Sequence, residues 1–421
     1  MNGLSWIKNL SSLKEHKNGV LVSLFLKEIP AAVKKLLTFY KKHFRRPQYK
    51  NFRDFIVGLI VSDNKTIQEI ADCFGRVDQS SLNRFLTSSE WDEEKINDQR
   101  INQIKRKLNL KKGMLICDPT MLHKSGKEME KANYHYSGMT KEKEWGYCFV
   151  NSFFTDGKNE FPVCGNFYLR DVDADEKNPF KSIREIALEQ LDYTLKKLPI
   201  WLFLADAGLY ADFLIRELRR RGLKYIIGTR ITNNISIGGG KRITIEEYLK
   251  TLTDNDFKPH IINGEAYFLH TVEVYERGVG KEKLLISYKY GDEEQLRINV
   301  TNLLQHSDAT LMKLLLQRWK IETWHRDAKQ YLGLEDYQVR KFGAMQKVAC
   351  AVFVAYTQII LMKNDAILKP LNRTIQTIGE GCRYIRLLAL KGTSWLKNKA
   401  KNIVELARIL NKQVFVKNAK V

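Results

Sequence analysis

The sequence predicts an α/β protein: a mixed sheet with flanking helices, interrupted by a mostly β insertion, plus helical N-terminal and C-terminal regions. Three observations carry this. Between Met114 and Ile227, short apolar runs of strand length alternate with amphipathic stretches of helical period. After Thr229 a series of short alternating runs breaks that rhythm, and both ends of the chain have a basic, helical texture.

Residues 1–112 form the first region, helical and basic, with Lys34-Lys35, Lys41-Lys42-His43-Phe44-Arg45-Arg46, Lys105-Arg106-Lys107 and Lys111-Lys112 spaced along amphipathic segments. Within it Thr66-Ile67-Gln68-Glu69 reads as a capping box, leading into apolar Ile67, Ile70, Ala71 and Phe74 and stopped by Gly75. A second short helix beginning at Ser80 or Ser81 turns Leu82, Phe85 and Leu86 inward and leaves Asn83 and Arg84 outward. Helix, turn and helix over 66–87 fall in the order of a helix-turn-helix, in which Asn83 and Arg84 would meet DNA; a plain helical hairpin has the same spacing.

Residues 113–228 supply the first part of the core. Runs at Met114–Cys117, Tyr147–Phe154 and Phe161–Leu169 read as strands, the last two joined by the hairpin signal Asp156-Gly157. A helix over Pro179–Lys196, a buried run Trp201–Ala205, a helix over Ala211–Arg221 and a strand at Tyr225–Ile227 complete it. Residues 229–302 are the β-rich insertion, opening with Gly238-Gly239-Gly240. Residues 303–362 return to the core with a long helix over Asp308–Leu332 and a more apolar one over Ala344–Met362. Residues 363–421 are a basic helical tail.

At 421 residues the chain is longer than one core usually needs, which agrees with several regions. Its net charge, 70 − 48 = +22, favours a polyanionic partner, and nucleic acid heads that class. The apolar stretch Gly19–Leu26 is too short to span a bilayer and lacks a cleavage site, so the expectation is a cytoplasmic protein without a membrane partner. Six cysteines without a Cys-x-x-Cys pairing point to neither zinc nor disulfides.

Three acids carry the chemistry. Asp118 follows Leu115-Ile116-Cys117, and Asp206 follows Leu202-Phe203-Leu204-Ala205, so each sits at the carboxyl end of an apolar strand, where α/β sheets hold ligands. An aspartate after a strand also serves as a cap or turn residue. Glu322 has more specific company: Arg318 and Lys329 lie four residues before it and seven after, on one helical face. Trp319, Ile321 and Trp324 crowd the same segment and suggest that it is buried, whereas His325 and Asp327 are expected on other faces. Carboxylates converging from separate elements are what two-metal phosphoryl transfer requires.

These residues resemble the bacterial insertion-sequence DDE transposases, which have a ribonuclease-H-like core, a β-rich insertion before the last acid and the signature Y-x-x-R-x-x-x-E-x-x-x-x-x-x-K. Arg318, Glu322 and Lys329 match three of its four positions, and Leu315 stands at the tyrosine. Asp118-Pro119-Thr120 and Ala205-Asp206-Ala207-Gly208-Leu209-Tyr210 extend the likeness.

The resemblance implies that Asp118, Asp206 and Glu322 bind two Mg²⁺ ions, with Mn²⁺ able to substitute. It also implies that Arg318 and Lys329 hold phosphates, that terminal inverted repeats and target DNA are the substrates, and that a homodimer pairs two ends, with the basic tail 363–421 a candidate for assembling it. The transposon end would be hydrolysed first, and the freed 3′-hydroxyl would then attack target DNA. Lys124, in the loop His123–Lys127, is a further phosphate-binding candidate beside a plain solvated loop. Gly208 would allow close approach beside Asp206. Aromatics of the insertion (Tyr267, Tyr288 and their neighbours) either stack on an unpaired base or form a small core. A nuclease of the same fold without strand transfer, or a domesticated non-catalytic DNA-binding protein, would share much of this sequence.

Overall fold

The apolar runs between Met114 and Ile227 do form strands, several of them longer than the runs themselves, because hydrogen-bonded partners extend each ladder past its apolar centre. The computed structural model describes residues 15–16, 19–20, 29–74, 77–136, 140–276, 278–337, 339–363 and 375–391. Two compact units emerge: Met1–Lys107 with Glu128–Glu130 and Asp327–Val421, and Leu108–Lys127 with Lys131–Arg326.

The second unit contains the sheet. Its strands are β1 (Gly113–His123), β2 (Asn133–Tyr136), β3 (Lys143–Thr155), β4 (Glu160–Tyr168), β5 (Ile200–Ala205) and β6 (Lys224–Gly228). Neighbours run β4-β3-β1-β5-β6, with β1, β5 and β6 mutually parallel and β3 antiparallel to both β1 and β4. That order is ribonuclease-H-like. Two crossovers make the parallel pairs possible, through the helices Ile183–Leu195 and Asp212–Arg220. The first helix starts four residues later than its sequence pattern, at a Ser182/Glu185 capping box. Gln190, buried on that helix, donates at 2.9 Å to both the Val150 carbonyl and Asn166, seating it on the sheet. Between β3 and β4, Asp156 accepts the amides of Lys158 and Asn159, and Gly157 takes a φ of 88° that a side chain would resist.

Residues 229–302 extend the same sheet instead of folding apart from it. They form β7 (Asn234–Ile237), β8 (Ile243–Thr244), β9 (Lys258–Ile262), β10 (Glu265–Glu276), β11 (Gly280–Lys289) and β12 (Asp292–Thr301). β12 pairs antiparallel with β6, Val300 opposite Ile227, and β11, β10, β7 and β8 follow outward. An unpaired β6 would leave an open, apolar edge, and β12 closes it.

The first unit draws on both ends of the sequence. Helices Arg46–Val61 and Glu93–Lys107 pack around Phe342–Lys363, with buried Arg100 donating to Thr357 at 3.2 Å. The span Phe342–Met362 is long and apolar enough to cross a membrane, yet 89% of its most apolar window is buried in the fold. The pair Ile67–Phe74 and Gln79–Thr87 lies where the helix-turn-helix pattern put it, with Asp78 as the cap of the second helix. Leu82, Phe85 and Leu86 are buried, and Asn83 and Arg84 exposed. Gly75, the segment 364–374, the tail from 392 and most of Gly19–Leu26 fall outside the described residues, and with them the tail's assembly role.

Candidate active site

Cys117 of β1 is in register with Ala205 of the parallel strand β5. Asp118 and Asp206 are the next residue on each, so their backbones lie on adjacent strands, roughly 5 Å apart. The two positions differ in kind. Asp206 follows its strand directly and is exposed, as the sequence pattern requires. Asp118 sits inside its strand instead: β1 continues to His123 because residues 118–123 pair with β3. Lys124 is therefore six residues along an extended chain from Asp118, about 20 Å away, and does not share its surroundings. His123 beside it is paired with Glu144 at 2.8 Å.

Glu322 comes from the helix Trp319–Leu332, which follows a separate helix Asp308–Leu315 through one 3₁₀ turn, Leu316–Arg318, where one long helix was expected. Arg318 leaves that turn to meet Glu322 at 3.0 Å, with 16% of its side chain exposed. Desolvation pushes Asp118 up to about 7, opposed by the Arg318 guanidinium and reinforced by the negative charges of Asp206 and Glu322. Glu322 is raised too, by burial first, with Arg318 opposing and Asp206 adding. The three acids thus occupy one electrostatic neighbourhood with more negative charge than Arg318 neutralises.

Beneath them, Asn151 of β3 stands opposite Asp118 and is fully buried. Trp324 Nε1 donates to its Oδ1 at 2.9 Å, and its Nδ2 lies 2.8 Å from His325 Nε2. The other ring nitrogen, Nδ1 of His325, is 3.8 Å from Asp118 Oδ2. His325 therefore faces the site and not another side of the helix, as its spacing had suggested, because residues three apart on a helix share a face as well as those four apart.

Ile321 and Trp324 are buried as expected, but Trp319 is 41% exposed. The guanidinium groups of Arg297 and Arg318 lie over it, 4.9 Å and 5.2 Å from its ring centre. A cavity of about 290 Å³ opens beside it, lined also by Tyr267, Tyr288, Lys289 and Met312. The insertion's aromatics divide: Tyr288 stacks on Phe268, Tyr248 and Phe257 pack on His270, and Tyr275 and Tyr290 are exposed. Leu315, at the signature's tyrosine position, is a buried core residue. Lys329 lies 3.5 Å from Glu335.

Gly208 does not supply the close approach. A Cβ there would meet nothing within 4 Å, whereas one on Gly228, at the end of β6, would lie 2.5 Å from the backbone nitrogen of Ala207. The loop that holds Asp206 thus rests against Gly228, which no local pattern singles out. Gly208→Ala should leave DNA cleavage within about twofold of wild type, while Gly228→Ala should lower it tenfold or more by displacing Asp206. Parallel cleavage assays with thermal unfolding of each variant check this, and equal activities would refute it.

The donor chemistry suits a hard divalent cation, since the acids offer only carboxylate oxygens and carry surplus negative charge. Among the described residues, no three His, Cys, Asp or Glu side chains are already gathered tightly enough to enclose an ion. Glu322 is engaged with Arg318 instead.

Residues 38–239 match the family described as DDE superfamily endonuclease, a span that includes Asp118 and Asp206 and ends before Glu322. A probable transposase for insertion sequence element IS701 from Microchaete diplosiphon is 29% identical over 225 residues, covering 50% of this chain and 56% of that protein. The match thus spans little more than half of the relative's length. The NurA nuclease from Sulfolobus solfataricus aligns at 10% identity over 67% of this chain and 93% of its own, with a TM-score of 0.23, too low to bear on the fold. Residues 38–239 are thus similar to the DDE superfamily endonucleases and half of the chain is similar to an insertion-sequence transposase, on a sheet of ribonuclease-H-like strand order.

Proposed function

We propose that the protein is a DNA transposase that hydrolyses a strand at the ends of its element and joins the freed 3′-hydroxyl to target DNA. The observation that carries this is the shared electrostatic neighbourhood of Asp118, Asp206 and Glu322, with Arg318 against the last. The three carboxylates would hold two Mg²⁺ ions, or Mn²⁺ in their place. When bound, such ions polarise a phosphoryl oxygen and lower the pKa of water.

The remaining roles belong to the chain itself. Arg318 restrains Glu322 and offers a planar fork to a phosphate oxygen near the scissile bond. Lys329 would reach a phosphate as a point charge by exchanging Glu335 for DNA. Lys124, just past the end of β1, would at most hold flanking backbone. The paired-end homodimer is part of the same proposal, resting on the resemblance.

Incubating the protein with DNA carrying the element's inverted repeats, a target plasmid and Mg²⁺ tests this reading. The expected products are nicked ends and strand-transfer joints, both absent with Asp118→Ala. Nicking without joints would favour a nuclease, and DNA binding without either product a domesticated protein. Buried Leu315 is one reason to keep those outcomes in view, because no tyrosine stands at that position to meet the DNA backbone.

For the helix pair in the first unit, a recognition role predicts a salt effect. Arg84→Ala should weaken binding of end DNA and reduce the slope of log affinity against log salt by roughly one. An unchanged slope, measured by anisotropy over a salt series, would leave Gln79–Thr87 as a plain hairpin helix.

A further inference from the structure

The geometry points to His325 as a positioning residue for Asp118, held in a single tautomer by Asn151. This rests on the proposed role of Asp118 and extends it to two side chains outside the signature.

The inference follows from donors and acceptors. Trp324 Nε1 can only donate, so the Asn151 atom 2.9 Å from it must be the carbonyl oxygen. That fixes the amide's orientation, and its NH₂ group then faces His325 Nε2 at 2.8 Å. Nε2 also lies 3.1 Å from Oδ1, but a proton on Nε2 would stand against the NH₂ group at the shorter distance, so Nε2 accepts from the amide and carries no proton. In the neutral ring the proton then belongs on Nδ1, the atom 3.8 Å from Asp118 Oδ2. The order Trp324, Asn151, His325, Asp118 therefore presents one N–H to the carboxylate.

Burial makes the arrangement selective. Asn151 and Trp324 are fully buried, so a reversed amide would set two N–H groups against each other with no water to separate them. Asn151 also stands directly opposite Asp118 in the β1–β3 register, and Trp324 and His325 are two and three residues beyond Glu322. One amide thus ties the strand of the first acid to the helix of the third. At 3.8 Å the contact is longer than a hydrogen bond, and a modest rotation of the Asp118 side chain would close it. Closing it would fix Oδ2 and leave the other carboxylate oxygen for a cation, the arrangement in which an outer hydrogen bond orients a metal-binding carboxylate.

The test uses full-length protein with Mn²⁺ alone, its binding followed by electron paramagnetic resonance without DNA. His325→Ala should weaken Mn²⁺ binding roughly 10-fold or more, within the range usual for outer partners of metal ligands. His325→Asn, whose amide can occupy the Nδ1 position, should recover most of it. His325→Gln, whose amide extends to the Nε2 position, should not. A residue that merely fills space would make the two amides equivalent.

¹⁵N-histidine NMR of the wild-type protein supplies a second readout that depends on no variant's folding. The signal missing from His325→Asn should show a protonated Nδ1 and a bare Nε2. The inference is overturned by an Nε2–H tautomer, or by equal Mn²⁺ binding in folded wild type and His325→Ala. Asp118→Asn separates the two levels. If it binds Mn²⁺ and cleaves DNA like wild type, the active-site reading fails; if it is impaired while His325→Ala is normal, only the present inference fails.

Discussion

Asp118→Asn is expected to abolish cleavage and to stabilise the metal-free protein at the same time. The loss should reach roughly 10³-fold or more, about 4 kcal/mol of transition-state stabilisation, because the amide keeps the shape of the side chain and surrenders its charge. The gain follows from proton linkage. Asp118 has a folded-state value of about 7 against an ordinary 3.8, so burial favours its protonated form. Its contribution to stability is fully present below about pH 4 and is lost as pH rises through 7. By pH 8 the metal-free wild type carries a buried charge that Asn does not, a difference of up to about 4 kcal/mol.

Thermal unfolding in chelator at pH 5 and pH 8 measures this. The variant's advantage should be larger at pH 8 and shrink toward pH 5. If the two proteins unfold together at pH 8, the desolvated setting assigned to Asp118 is wrong, whatever happens to cleavage. Excess Mg²⁺ should reverse the ranking, since a cation stabilises the ionised acid cluster and has less to hold in the variant.

Arg318→Ala should cost the second-largest amount, on the order of 10²- to 10³-fold in cleavage, the usual scale for removing one preorganised donor from an anionic transition state. Three effects combine. The 3.0 Å pair that restrains Glu322 disappears, a phosphate fork is lost, and the cation that most opposes the raised proton affinity of Asp118 and Glu322 is removed. Both acids should then hold their protons to still higher pH, so the residual activity of the variant should rise with pH more steeply and later than that of wild type. Arg318→Lys should restore part of the pH profile and little of the rate, because a point charge replaces the charge but not the fork. A rate loss without any displacement of the pH profile would separate Arg318 from the carboxylates and confine it to DNA binding.

Much of the site was legible because its signals are local. Leu115-Ile116-Cys117-Asp118 and Leu202-Phe203-Leu204-Ala205-Asp206 each announce a buried strand with an acid at its apolar limit, and the spacing of Arg318 and Glu322 needs only helical geometry. The second helix of the 66–87 pair was equally readable from Leu82, Phe85 and Leu86, which are buried as their period required.

What failed was non-local. The extension of β1 past Asp118 depends on its partner β3, not on its own polar residues, and it carries Lys124 away from the acids. Asn151 gave no signal, since an asparagine within an apolar strand becomes informative only when its partners from another element are known. His325 was misdirected by judging helical faces from one residue spacing. Gly208 carries the local glycine signal beside Asp206, but the tight approach is at Gly228, where the loop of a neighbouring strand comes close.

By itself, the sequence determined the alternation of strands and helices, the apolar runs and helical spacing around Asp118, Asp206 and Glu322, the basic charge and three of the four positions of the insertion-sequence signature. Each of these follows from periodicity or from residue chemistry within a few positions. Only the tertiary structure decided that residues 229–302 extend the core sheet through β12, that N-terminal and C-terminal helices build one unit, and that Asn151 and His325 lie beside Asp118. Those facts rest on hydrogen bonds and burial between residues up to 323 positions apart, as Asp63 and Arg386 are. Such pairings are selected by the free energy of the whole fold, and no local pattern in the chain records them.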